Sequence, residues 1–379
     1  MLFRSRAGMA ADALLVTATG PDGVGVHLVD ATADGVQRVA QKTSDGDVAA
    51  LITFTNAAGT RIGGAEALER LGQLLVALVQ TLLLAAAAPL ASGCLRMVRA
   101  KMHTRHGPGI LQDYRDLFKL LKRQDVRPPA AGFAFRIMPI VMPATLLVVA
   151  MGTPILTRAT PIAALGDLIT TIYLFALARF FFALSGLDSG SSFAGIGASR
   201  ELTLGVLVEP AMLLSLFTAA LLVGSTNLGD IGTAVAEGRP QAIAATLLAG
   251  IAFAFTCYVE LGKLPYDMAE AEQELQEGPL TEYSGPSLAL VKWSLSLKQI
   301  VVVAWFVGTF VPFGSATDLT FPALAIGAVA FVAKVAVILF LVGVVENSVA
   351  RARFRLTSRH TWLGLGIASL AFVFHLAGL

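Results

Sequence analysis

The chain contains eight long stretches with few or no charged residues, each of them about 20 residues or more. About 20 helical residues, at about 1.5 Å each, cross the roughly 30 Å hydrocarbon layer of a bilayer. Strands are excluded because polar and apolar residues do not alternate, and backbone amides in lipid must be satisfied within their own segment. The pattern predicts eight transmembrane helices, at Leu71 to Leu95, Ile137 to Thr157, Asp167 to Asp188, Leu202 to Asn227, Pro240 to Val259, Gln299 to Thr317, Leu319 to Val345 and Thr361 to Leu379.

The composition agrees with lipid as the main solvent. Hydrophobic residues make up 55% of the chain and charged residues 14%, whereas about a quarter of the residues in soluble domains are charged. The net charge of +2 does not indicate a nucleic-acid partner. Cys94 and Cys257 lie far apart and form no CxxC pair, so we expect no metal or cofactor in this chain. Any redox metal is expected in a partner subunit.

The distribution of Lys and Arg predicts the orientation in the membrane. Nine lie between Arg96 and Arg127 and four lie between Arg351 and Arg359, whereas the loops after the second, fourth and sixth spans hold two in total. Basic loops stay on the cytoplasmic side of a membrane. The odd-numbered loops are therefore predicted to be cytoplasmic.

Residues 1–70 do not fit the membrane pattern. They are polar, contain no signal peptide of the usual form, and have one strand-like run at Ala49–Thr55. An export signal would be needed to place them outside. We therefore treat 1–70 and 71–379 as separate regions and hypothesise that the start is over-extended, with the functional chain beginning near Leu71. The alternative is a real, poorly structured extension.

The first basic loop contains an amphipathic segment. Apolar residues at 110, 111, 114, 117, 118 and 121 follow helical spacing, and Arg115 and Lys119 lie on the other face. This pattern predicts a helix at the headgroup level. By itself the segment could be a generic basic anchor rather than a docking site.

The loop after the fifth span is strongly acidic. Seven carboxylates fall within 23 residues beside a membrane helix. Mutual repulsion and partial burial would keep protons on some of them near neutral pH, which suits proton relay, although a solvated acidic loop is the alternative. The acids are Glu260, Asp267, Glu270, Glu272, Glu274, Glu277 and Glu282.

Charged residues also occur inside the predicted spans. Glu209 lies within the fourth span, and a charge at the centre of a helix costs roughly 2.5 to 3.5 kcal/mol on insertion scales. Glu201 precedes it by about 12 Å along the helix, so the two can share one polar seam. Candidate partners on other helices are Arg179, Glu260, Lys334 and Glu346. These residues predict either a proton path or structural ion pairs.

Several segments resemble the H-type membrane protein, or subunit 1, of respiratory complex I and its hydrogenase relatives. The similarity covers about residues 71–379, and its markers are Arg105–Leu121, Gly197–Glu201, Glu209-Pro210 and Pro265–Gly285. Other stretches are most similar to the formate hydrogenlyase and hydrogenase-4 membrane subunits, namely Ala178–Phe182, Ser185–Gly190, Glu272–Leu280 and Glu346–Arg351.

The resemblance implies a non-catalytic anchor and coupling subunit in the bacterial cytoplasmic membrane. It would bind the large and small subunits of a nickel-iron hydrogenase, which carry the nickel-iron and iron-sulfur centres, and an antiporter-like membrane subunit. Its carboxylates would couple electron transfer to proton or sodium movement, and the docking surface would include Arg105, Asp116 and Arg200.

Two other interpretations remain open. The chain could be the quinone-site subunit of a respiratory NADH:quinone oxidoreductase, in which the acidic loop would form the quinone tunnel. It could also be a stand-alone cation transporter.

Overall fold

The computed structural model describes residues 2–5, 12–20, 23–42, 48–63, 65–269, 275–351 and 353–378. The chain divides into two compact units, Met1–Leu75 and Val76–Leu379. The first unit consists mainly of β-strands and the second is helical.

The N-terminal unit contains two antiparallel sheets of three strands each. The strands are β1 (Leu2–Ser5), β2 (Ala13–Gly20), β3 (Gly23–Asp30), β4 (Val36–Lys42), β5 (Val48–Phe54) and β6 (Thr60–Gly63). β5 lies between β1 and β4 in one sheet, and β3 lies between β2 and β6 in the other. The strand-like run expected at Ala49–Thr55 overlaps β5, whereas the other strands were not expected because polar residues and glycines interrupt their alternation.

The second unit is built from helices, as the sequence predicts for a polytopic membrane protein. The helices are α1 (Ala65–Met102), α2 (Gln112–Leu121), α3 (Phe133–Gly152), α4 (Leu168–Asp188), α5 (Ser192–Val223), α6 (Leu228–Ala236), α7 (Ile243–Glu260), α8 (Gly285–Phe310), α9 (Phe321–Ser348) and α10 (Phe354–Leu376). Seven helices are long and apolar enough to cross a membrane within the described ranges: α1, α3, α4, α5, α7, α8 and α9. The eighth predicted span overlaps α10, which is less apolar because it contains Arg359, His360 and His375.

The predicted start of the sixth span, Gln299, was wrong. Helix α8 begins at Gly285, with Pro286 in its first turn, where the missing N–H of a proline costs no hydrogen bond. Lys292 and Lys298 end the uncharged run in the sequence, so the hydropathy pattern starts too late. The helix tolerates Lys298 because carboxylates on two other helices compensate its charge.

Helix α2 is the predicted amphipathic segment. None of its residues is buried, and Phe118 is 64% exposed. It contacts α1 through the Tyr114 hydroxyl, which donates a hydrogen bond to the Ala86 carbonyl. A helix with an exposed apolar face and a basic opposite face is suited to the membrane interface.

The core of the helical unit lies between α3, α4, α5, α7 and α8. Trp305 of α8 is fully buried and packs edge-on against Phe253 of α7, with ring centroids 5.5 Å apart, and against Phe175 of α4 at 6.1 Å. Phe175 lies one helical turn before Arg179. The packing of these aromatic rings therefore holds in place the segment of α4 that carries Arg179.

Candidate functional site

Arg179 of α4 contacts carboxylates from two other helices. Its Nη1 donates to Oε1 of Glu209 at 2.6 Å, and its Nη2 donates to Oε1 of Glu260. The Nε lies 3.6 Å from Oε1 of Glu201. A guanidinium with five fixed donors is suited to holding several carboxylates in one arrangement. Two acids of α5, Glu201 and Glu209, and one acid of α7, Glu260, thus meet at Arg179.

Lys298 of α8 supplies a second cation to the same acids. Its Nζ lies 3.2 Å from Oε2 of Glu260 and 3.5 Å from Oε1 of Glu201. It also lies 5.5 Å from the centre of the Phe175 ring, a distance typical of a cation–π contact. We call Arg179, Lys298, Glu201, Glu209 and Glu260 the Arg179 cluster.

The spacing of residues on α5 makes room for the cluster. Glu201, Gly205 and Glu209 recur every four residues and so lie on one face of the helix. A Cβ at Gly205 would lie 2.5 Å from Nη1 and 2.9 Å from Cδ of Arg179. Only glycine therefore lets the arginine cross α5 between the two glutamates.

The Arg179 cluster contains one more acid than cations. Three carboxylates face two cations, so the cluster carries one net negative charge when every group is ionised. The side chains of Arg179 and Glu260 are only 5% and 3% exposed. An uncompensated buried charge is costly, and a carboxylate removes that cost by taking up a proton. Uptake of one proton by a carboxylate would leave these five side chains without net charge.

A cavity of about 70 Å³ adjoins the cluster, and we call it the inner cavity. Its wall includes Arg179, Glu201, Glu260 and Lys298, together with Asp267 from the loop after α7. This space is large enough for a few hydrogen-bonded water molecules, which need polar partners of the kind present here.

A second set of ion pairs lies where this loop meets the ends of α9 and α1. Arg351 Nη2 donates to Oδ2 of Asp267 at 2.7 Å. Glu346 is buried, and Arg99 lies 3.3 Å from it. Asp267 belongs both to this set and to the wall of the inner cavity. The polar interior thus extends from α5 to the junction of α9 and α10.

Tyr266 forms part of the apolar side of the inner cavity. Its ring packs edge-on against Phe255, Tyr258 and His360 at centroid distances of 6.0, 6.2 and 5.9 Å. Burial raises the pKa of its hydroxyl to about 12. Tyr266 therefore remains a neutral hydrogen-bond donor at physiological pH.

A larger cavity of about 420 Å³, the outer cavity, lies between α2 and α8. Asp116 and Glu277, which the sequence placed in different roles, both line it. Asp116 accepts from Nε2 of Gln112 at 2.9 Å, and Glu277 lies 3.5 Å from Nζ of Lys292. The other lysines in its wall are Lys119 and Lys263.

The acidic loop is only partly described. Glu270, Glu272 and Glu274 lie outside the described residues. The loop ends pack closely on α5, where a Cβ at Gly197 would lie 2.7 Å from the Ala269 carbonyl oxygen and 3.0 Å from Gly278. Glycine at 197 therefore has a packing role.

The remaining predicted residues lie apart from the Arg179 cluster. Lys334 donates to the Val311 carbonyl at 2.7 Å, at the end of α8. The guanidinium of Arg200 lies 5.7 Å from the Phe354 ring of α10. Arg105 is exposed, and Glu282 is half-buried next to Tyr283.

Sequence reasoning missed Lys298 as a site residue and named Arg179 only as a partner. Because the sixth span was predicted to begin at Gln299, Lys298 fell in the loop before it. The signal that could have found it is the apolar run that begins two residues later, at Ile300. Among the described residues, no group of three or more His, Cys, Asp or Glu side chains is arranged to hold a metal ion.

Comparison with known proteins places this architecture in a family. Residues 74–377 match the family model described as NADH dehydrogenase. The chain is 53% identical over 306 residues to hydrogenase-4 component C of Escherichia coli, covering 81% of this chain and 97% of that protein. It is 51% identical over 304 residues to formate hydrogenlyase subunit 4 of the same organism, covering 80% of this chain and 99% of that protein.

More distant similarity extends to the quinone reductases and to an archaeal complex. The H-type NADH-quinone oxidoreductase protein of Salinibacter ruber is 28% identical over 249 residues, covering 60% of this chain and 71% of that protein. A chain with the same fold occurs in the solved structure of the membrane-bound sulfane sulfur reductase, an archaeal respiratory membrane complex. The two chains superpose with a TM-score of 0.68 and are 21% identical, over 80% of this chain and 99% of the other. The chain therefore belongs to the NADH dehydrogenase family, that of complex I subunit 1, and is a multi-pass membrane subunit of a respiratory-type complex.

Proposed function

We propose that the chain anchors and couples a complex-I-like nickel-iron hydrogenase of the formate hydrogenlyase type. The support is the identity of 51–53% to two Escherichia coli proteins whose names specify hydrogenase-4 and formate hydrogenlyase, over 97–99% of their lengths. NADH-quinone oxidoreductase relatives are less similar, with 28–35% identity over 52–70% of this chain. In this proposal the redox centres reside in the hydrogenase large and small subunits.

The Arg179 cluster is the observation that supports a coupling role. Its acids exceed its cations by one, and it lies within the helical bundle beside a cavity able to hold water. A change of charge in a docked redox partner would alter the electrostatic potential at the cluster. The cluster would then bind or release its proton in step with electron transfer to protons, and the same step could drive sodium movement in a neighbouring subunit.

The predicted cytoplasmic side carries the features expected of a docking surface. Arg105 is exposed there, and α2 presents Arg115 and Lys119 to the solvent. We infer that the hydrogenase arm binds on this side, in the bacterial cytoplasmic membrane. Complementary charge on the partner would speed and orient its docking.

Glu209 indicates where the path continues. Its carboxylate is 36% exposed, although it lies within a transmembrane helix. An acid that reaches the lipid-facing surface at this depth is costly unless another polar group covers it. We infer that an antiporter-like membrane subunit covers this face of α5.

The test is the substitution Glu209→Gln in the assembled complex. We expect ion translocation linked to hydrogen formation to fall, while the complex still assembles and still forms hydrogen. The matched control is Glu237→Gln at the end of α6, because that acid is exposed and pairs only with nearby Arg239 among the described contacts. Equal translocation in both variants would contradict the coupling role, and loss of assembly would support a purely structural ion-pair network.

The outer cavity favours a second candidate function, quinone binding. Its volume of about 420 Å³ lies within the usual range for ligand sites, roughly 300 to 1,000 Å³, and Leu117 and Leu288 line it. Quinone-dependent oxidation of the purified complex would support a quinone-site subunit, whereas hydrogen formation that does not depend on quinone would support the hydrogenase anchor. Ion flux by the chain alone in proteoliposomes would instead indicate a stand-alone transporter.

A further inference from the structure

The inner and outer cavities share part of their walls. Lys263, Leu295 and Gln299 line both of them. Leu295 and Gln299 lie four residues apart on one face of α8, and Lys263 faces them from the loop after α7. These three residues, which we call the neck, separate the surface cavity beside α2 from the Arg179 cluster.

Gln299 fixes one side of the neck. Its Nε2 donates to the Leu261 carbonyl at 3.4 Å, which ties α8 to the loop that carries Lys263. Lys263 has no comparable restraint, since its side chain makes no ion pair or hydrogen bond within the part of the chain that the structure describes. The Leu295 side chain supplies the apolar part of the constriction.

Lys263 has acids on both sides of the neck. Asp113, Asp116 and Glu277 line the outer cavity, and Glu201, Glu260 and Asp267 line the inner cavity. The other cations facing these spaces are Arg96, Lys119 and Lys292 outside, and Arg179 and Lys298 inside. A lysine ammonium on a flexible four-carbon chain can turn between two such groups of acids.

We propose that the outer cavity is the proton entrance to the Arg179 cluster and that Lys263 makes its neck selective for protons. This inference rests on the coupling function proposed above. A positive charge in a narrow passage repels free metal cations. A proton can instead hop along hydrogen-bonded water molecules, each of which accepts one proton and donates another, so no metal cation has to pass the ammonium. Sodium ions are thereby kept away from the buried carboxylates.

The experiment measures access to a cysteine behind the neck. Ala178 lines only the inner cavity, so Ala178→Cys is introduced after Cys94 and Cys257 are replaced by alanine. Membrane vesicles that carry the assembled complex, with the α2 face outward, are treated with Ag⁺, a small thiol-reactive cation. The neutral, membrane-permeant reagent methyl methanethiosulfonate reports the reactivity of the thiol itself.

We expect Lys263→Met to speed modification by Ag⁺ at least about tenfold, because it removes a charge from a partly buried passage. It should leave the rate with the neutral reagent unchanged, since methionine has a similar length. Gln299→Ala should raise both rates by widening the neck. Lys292→Met is the matched control, because Lys292 lines the outer cavity only, and it should change neither rate.

The proposal is overturned if Lys263→Met has the same Ag⁺ rate as Lys292→Met, or if Ag⁺ reacts faster from the opposite side of the membrane. If Ala178→Cys prevents assembly, Met142→Cys on α3 provides a second reporter in the inner cavity. Access of Ag⁺ does not require hydrogen formation. A failed neck is therefore distinguishable from a failed coupling function, which the Glu209→Gln experiment tests separately.

Discussion

Replacing Gly205 by alanine adds one methyl group at the point where Arg179 crosses α5. The new Cβ would lie 2.5 Å from Nη1 and 2.9 Å from Cδ of the arginine, closer than real Cβ contacts allow. The guanidinium must move, and the hydrogen bond that Nη1 donates to Glu209 at 2.6 Å is the contact most directly affected. The substitution therefore perturbs the cluster without removing any charged group.

The magnitude follows from three contributions. Loss of a charge-assisted hydrogen bond costs about 1.5 to 3 kcal/mol. Overpacking adds about 1 to 3 kcal/mol, and the better helix propensity of alanine offsets about 1 kcal/mol. We expect a net loss of about 1.5 to 5 kcal/mol in the free energy of unfolding, together with reduced hydrogen-linked ion translocation.

Gly195→Ala is the matched control because it lies on the same helix and a Cβ there meets nothing within 4 Å. It should be neutral or slightly stabilising in thermal unfolding of the solubilised complex. A double-mutant cycle with Arg179→Lys should show strong coupling with Gly205→Ala, since both changes affect the same contact. Equal behaviour of Gly205→Ala and Gly195→Ala would refute the assigned packing.

Two further predictions address other parts of the molecule. Lys298→Met leaves Glu201 and Glu260 with Arg179 as their cation. Breaking a buried ion pair costs about 3 to 5 kcal/mol. We therefore expect Lys298→Met to have a lower melting temperature and weaker ion translocation than Lys298→Arg, which keeps the charge. Burial raises the pKa of Tyr266 to about 12, whereas the pKa of tyrosine in an unfolded chain is about 10. The folded state should therefore lose stability as the pH rises from about 10 to about 12. In thermal unfolding over this pH range, Tyr266→Phe should lose less stability than the wild type.

The hydropathy of the sequence predicts most of the membrane helices because about 20 apolar residues have few other stable arrangements. Helix α2 is predicted correctly for a similar reason, since its apolar and basic residues separate on two faces. The start of α8 is not predicted, because a charged residue inside a helix is tolerated only when partners elsewhere compensate it. Those partners, Glu201 and Glu260, lie far from Lys298 in the sequence.

The candidate site follows the same division. Glu209 and Arg179 stand out in the sequence because each is a charge within an apolar span. The sequence does not show that Arg179 crosses α5 at Gly205 to reach Glu209, because a glycine in a helix does not indicate which side chain packs against it. The neck formed by Lys263, Leu295 and Gln299 lies where a loop packs against a helix. The periodicity of a sequence does not indicate which loop residue contacts which helix residue.

We propose that the Arg179 cluster holds one exchangeable proton because three acids face two cations. The decisive measurement is the net proton exchange of the purified complex upon reduction, followed with a pH indicator. Glu260→Gln leaves two acids with two cations and removes the need for that proton. We expect the wild type to exchange about one proton more per complex than this variant. Equal exchange in the two, with both fully assembled, would show that the cluster holds no such proton.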